Sequence, residues 1–133
     1  MAAPQLQDSD IAKSIKHCFN CSRVCIETLS HCLANGKSNL TSGKHLSLLQ
    51  SCADSTQLSA RMMTGNSPFH HQACELSFEL CLACAAECER FQDDKMMQHC
   101  AETCRLCAES CRASAGMTVT VDRAEISGRS SPR

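Results

Sequence analysis

The stretch Cys81-Leu-Ala-Cys-Ala-Ala-Glu-Cys88 places three thiols in eight residues, spaced by three and then four. The residues between them are helix formers, with no Gly, Pro or aromatic ring to break the run. Steps of three and four keep side chains on one face of a helix. The same C-x-x-C-x-x-x-C pattern recurs as Cys18-Cys21-Cys25 and Cys104-Cys107-Cys111. Outlying thiols extend each copy: Cys32 follows Cys25 by seven, Cys74 precedes Cys81 by seven, and Cys100 precedes Cys104 by four. At about 100° per residue, each set falls within an arc of roughly 60–80°. Three helices therefore carry a stripe of cysteine where an inward apolar stripe is expected.

Working outward, the spacing predicts four helices. The first runs from about Asp8 to Leu33, with Asp8 or Ser9 as N-cap and Asn35-Gly36 as its stop. The second runs from about Thr41 to Thr64, ending at Gly65-Asn66. The third opens after Ser67, with Pro68 in its first turn, and reaches about Phe91. The fourth starts near Asp93 or Asp94 and ends at Gly116. Short connections make sequential helices antiparallel, so the fold class is all-α, an up-down-up-down four-helix bundle with a Cys-lined core. Residues 1–7 read as an N-terminal extension, 8–116 as the bundle, and 117–133 as a mobile Ser/Arg/Pro-containing tail.

The second helix departs from the pattern, with Cys52 alone. Its face carries His45, Leu48, Thr56, Ser59 and Met63 beside that thiol. On the third helix His70 lies one turn before Cys74 on the cysteine face, and His71 points away. His45, Met63 and His70 join the thirteen cysteines as candidate ligands. Met62, Met96 and Met97 read as core filling, because Met commonly occupies irregular gaps. His17, His31, His71 and His99 read as surface or edge residues, and Asp93–Lys95 as a capping and solubilising cluster.

Composition narrows the chemistry. Cysteine makes up 13 of 133 residues, while aromatic residues are only 3% and Trp and Tyr are absent. A net charge of −1 argues against a nucleic-acid partner, and no apolar run is long enough to predict a membrane span. The N-terminus shows no charged segment followed by an apolar one, which predicts a cytoplasmic protein. In a reducing compartment a Cys-rich chain points to metal rather than to disulfides. Helical neighbours at i,i+3 and i,i+4 also stand too far apart at Cβ for cystine. Thiols that only filled the core would bury little apolar area each, at about 25 cal/mol per Å².

Among metals, zinc closes a site with four ligands, and Zn²⁺ offsets only two of four thiolates. Cu(I) is soft, and bridging thiolates give about one ion per sulfur with a nearly neutral core. An Fe–S cluster needs four converging cysteines, commonly from a looped C-x-x-C-x-x-C run, which is absent. The leading reading is Cu(I) storage and buffering, many ions per chain, without catalysis. No Ser/His/Asp set or Gly-rich phosphate loop supports an enzyme. The alternatives are zinc or general soft-metal detoxification, and a redox or Fe–S protein.

The segments CFNCSRVC (18–25), CLACAAEC (81–88) and CRLCAESC (104–111), on four predicted helices, resemble the bacterial copper storage proteins over about residues 10–116. The absence of a leader is similar to the cytosolic branch. The resemblance implies a bundle filled with Cu(I), His or Met ligands near one open end, and a homotetramer. A copper chaperone is the candidate delivery partner. The single cysteine of the second helix departs from the family pattern and shifts attention to His45 and Met63.

Overall fold

The computed structural model describes residues 3–37 and 39–116. Four helices follow in order: α1 (Ala3–Asn35), α2 (Gly43–Thr64), α3 (His70–Glu89) and α4 (Lys95–Ser114). Each packs on two neighbours, α1 on α2 and α4, and α3 on α2 and α4. The result is the expected antiparallel four-helix bundle, and the thiol stripes meet along its axis.

Local chemistry sets the helix ends. Gly36 adopts φ +74° and its N–H bonds Cys32 O at 3.3 Å, closing α1 where a side chain would be strained. The hydroxyl of Ser42 accepts from His45 N, so α2 begins after Ser42 rather than at Thr41. Pro68 lies in the turn ahead of α3, outside the helix. Asp94 caps α4, accepting from Met97 N at 3.1 Å. At the other end α1 begins at Ala3, five residues before the expected start. Asp8 and Ser9 are good caps, but the helix continues through them because Pro4 falls in its first turn, where proline is tolerated, and residues 5–7 contain no breaker. The tail at 117–133 lies outside the described residues.

Asp94 also pairs with the His31 ring across the α1–α4 junction, Nε2 to Oδ2 at 2.8 Å. Its carboxylate therefore ties a helix start to a neighbouring helix. Asp94→Ala is expected to destabilise the apo protein by about 1–2 kcal/mol, read as a lower urea midpoint with an unchanged slope.

The core contains few large side chains. Val24, Leu40, Leu49, Phe78, Met63 and Met97 are its main bulky apolar members, and alanines fill much of the rest. All thirteen cysteines are buried and free. Ser22 donates to Ala53 O at 2.9 Å, and the hydroxyls of Ser59 and Ser77 meet at 2.8 Å, joining α2 to its two neighbours.

Candidate metal centre

The stripes bring sulfur from all four helices together. Four groups have every sulfur within 4.8 Å of the others: Cys21-Cys25-Cys52-Cys104, Cys25-Cys84-Cys100-Cys104, Cys18-Cys107-Cys111 and Cys21-Cys81-Cys107. The groups share Cys21, Cys25, Cys104 and Cys107. Cys52, alone on α2, sits at the centre, 3.6 Å from Cys81, 3.9 Å from Cys104 and 4.0 Å from Cys21. Cys88, fully buried one turn beyond Cys84, continues the α3 stripe.

Sulfur separations of 3.5–4.0 Å run through this column. They are far longer than an S–S bond. With metal–sulfur bonds of about 2.3 Å, such pairs subtend about 100–120° at a shared ion. That range suits trigonal or tetrahedral coordination. Because the groups overlap, neighbouring ions have to share sulfur atoms, and the shared thiolates become bridges.

The protons of the apo column are unequal. Hydrogen bonds from Cys107 and Cys111 hold the Cys18 thiol down at about 5, against the effect of burial. Cys104 and Cys25 do the same for Cys100, also about 5. Cys21 and Cys84 are likewise lowered by several thiol donors, Cys104 leading for Cys21 and Cys100 for Cys84. Their neighbours are pushed up: Cys25 chiefly by Cys100, Cys104 chiefly by Cys100, and Cys111 chiefly by Cys107. Thiols lowered by the hydrogen bonds they receive therefore alternate with thiols raised by their neighbours, an arrangement that favours the deprotonated sulfur soft-metal ligation requires.

Each end of the column finishes in a thioether. Cys74 Sγ lies 3.8 Å from Met63 Sδ, and Cys32 Sγ lies 3.7 Å from Met97 Sδ. His45 is fully buried, with Nε2 3.4 Å from Cys32 Sγ. Met97 is fully buried in the core, as expected of a filling residue, and also meets the Cys32 sulfur. It precedes Cys100 by three residues, so its place on the α4 stripe was legible. On α2, Leu49 rather than Leu48 is the fully buried leucine.

His70 joins none of the sulfur groups. It is the first residue of α3, its Nδ1–H donates to Ser67 O at 3.0 Å, and its ring stacks on His71 at 4.1 Å. Both rings line a cavity of about 370 Å³ with Asp10, Ile11, Ala113, Ser114 and Gly116 at the termini end of the bundle. His17 bonds Ser110 and His31 bonds Asp94, the edge roles expected of them.

The copper storage protein family model matches residues 7–116, nearly the whole bundle. The chain belongs to the copper storage protein family. An uncharacterized cysteine-rich protein of Bacillus subtilis, YhjQ, is 35% identical over 101 residues, covering 76% of this chain and 92% of its own. A solved protein from Nitrosospira multiformis is 35% identical with a TM-score of 0.76, covering 82% of this chain and 97% of that one. The Cu(I)-bound copper storage protein BsCsp3 is 33% identical with a TM-score of 0.75, covering 80% and 98%. Membership places the cysteine column of this chain in a family named for holding copper.

Proposed function

We propose that this copper storage protein holds multiple Cu(I) ions in its thiolate column and buffers copper without catalysing a reaction. The observation that carries this reading is the overlap of the sulfur groups. Closed zinc sites need four thiolates each and leave a net −2 charge apiece in a dry core. Shared, bridging thiolates with monovalent ions come close to neutrality. The thirteen cysteines with Met63 and His45 are the proposed ligands; His70 belongs to the termini-end cavity, on the approach to the column.

Anaerobic titration of the reduced protein is expected to reach about ten or more Cu(I) per chain, against about three Zn²⁺. A Cu(I) plateau at one or two ions would remove the storage reading.

The assembly and setting follow the same reading. No helix among the described residues is long and apolar enough to cross a membrane, and a cytoplasmic location suits a reduced thiol column. The homotetramer finds support in an unpartnered α1 stripe. Phe19, Ile26 and Leu33 recur every seven residues and are 43%, 52% and 58% exposed. A copper chaperone remains the proposed donor of the metal.

A further inference from the structure

We propose that Phe91 gates the loop end of the column, and that turning its ring aside sets the rate at which copper enters and leaves there. The proposal rests on the storage reading and assigns the residue that governs exchange with the stored metal. A cavity of about 300 Å³ opens where the α1–α2 and α3–α4 connections meet. Its walls are mostly polar, with Lys37, Arg90, Asp93 and Asp94 among them. Its two apolar members, Leu40 and Phe91, are the two that pack on the buried core.

Phe91 therefore faces the cavity on one side. On the other its ring meets His45, centroids 5.0 Å apart. His45 is 0% exposed beneath that ring, and its Nε2 lies 3.4 Å from Cys32 Sγ. One aromatic side chain thus stands between the water-filled entrance and the first imidazole and thiol of the column.

The backbone around the ring is held firmly, and the ring itself lightly. Phe91 N–H donates to Cys88 O at 3.1 Å, and Phe91 O accepts from Gln98 Nε2 at 2.9 Å and from Asp94 N–H at 3.1 Å. Arg90 is fixed by Glu87, Nη1 to Oε2 at 2.6 Å, and its guanidinium sits 5.8 Å from the Phe91 ring centroid. Ring–ring and cation–π contacts of this kind are individually weak, so the seat of the ring is reversible. Opening is a side-chain rotation between staggered rotamers, and it breaks none of the hydrogen bonds of the turn.

The termini end is tied differently. Ser14 Oγ donates to Ser110 O at 3.1 Å, and His17 bonds Ser110, joining α1 to α4 across it. Ile11 is the large apolar side chain of the cavity there. The bland alternative for Phe91 is a ring that only fills a corner of the core. Such a ring would affect stability and affinity, whereas a gate affects the barrier between the loaded and empty states.

The test is anaerobic stopped-flow transfer of Cu(I), in both directions, between the full chain and the chelator bicinchoninate, with Phe91→Ala, Phe91→Leu and Ile11→Ala beside the unmodified protein. Phe91→Ala is expected to speed loading and removal by about tenfold or more, equivalent to about 1.4 kcal/mol off the barrier. Both rates should rise by the same factor, with capacity and affinity unchanged. Phe91→Leu keeps an apolar side chain on the core and should give a smaller acceleration of the same kind. Ile11→Ala should leave both rates as they are. Unchanged rates in both Phe91 variants, or acceleration by Ile11→Ala alone, would overturn the gate. So would faster removal with a matching loss of affinity, the mark of a purely structural role. Capacity is read in the same samples: a low Cu(I) plateau with accelerated exchange would sink storage and leave the gate standing; a high plateau with unaltered rates would do the reverse.

Discussion

Saturating Cu(I) is expected to raise the thermal midpoint of the reduced protein by more than about 20 °C, and chelation should return it to the apo value. The apo bundle is held by a thin apolar core. Thirteen buried cysteines occupy positions where leucines would bury more area, and only a few bulky side chains such as Leu49, Val24 and Phe78 compensate. Ligands that bind the folded state alone add RT ln(1 + [L]/Kd), about 4 kcal/mol for one site at a thousand-fold excess over Kd. For a domain of this size each kcal/mol moves the midpoint by several degrees. Because each ion joins sulfurs from different helices, as Cys52 of α2 meets Cys21, Cys81 and Cys104, unfolding has to break many such links together. Differential scanning calorimetry of apo, loaded and chelator-stripped protein measures this. An unchanged midpoint at saturation would mean the ions bind outside the folded column, and the storage mechanism would fail.

How much of this was readable beforehand depended on where periodicity carries information. Cys18, Cys21, Cys25 and Cys32 recur at steps a helix cannot scatter, so their convergence followed from the spacing alone. The same arithmetic reached His45 through its seven-residue step to Cys52. Met97 was read as core filling, and it is fully buried on the α4 face three residues before Cys100, with its sulfur 3.7 Å from Cys32 Sγ. At Leu48 and Leu49 the steps to Cys52 are four and three, both compatible with one face, and neighbour packing chose Leu49. His70 is placed by different physics. Stripe arithmetic assumes a helix on both sides of the residue, and His70 is the first residue of α3, where the preceding turn offers Ser67 O to its ring. The start of α1 was hidden because Asp8 and Ser9 resemble caps whether or not the helix continues through them.

Apo stability should pass through a maximum near pH 9 and fall on both sides. Burial pushes the Cys32 thiol from 9.0 up to about 11, with the charges of Asp94 and Cys100 adding to the effect. Below pH 9 this thiol is protonated in both the folded and unfolded chains, and its full contribution is present. As pH rises toward 11 the unfolded chain releases that proton while the folded chain retains it, so stability is lost, by roughly 2–3 kcal/mol from this group alone. Cys25, Cys104 and Cys111 are raised as well and steepen the same limb. On the acid side the signs reverse. Cys18 and Cys100, lowered to about 5 by thiol hydrogen bonds, contribute stability present above pH 9 and lost as pH falls toward 5. His45, lowered chiefly by burial, adds a loss that begins as pH drops below 6.5. Urea midpoints of rigorously reduced protein at pH 6, 9 and 11 measure the curve. Cys32→Ser should remove its share of the alkaline loss and leave the acid limb in place. Loading with Cu(I) should abolish the alkaline limb, because ligated sulfurs have already surrendered their protons. A flat apo profile would show that the thiols of the column do not share protons as their spacing implies.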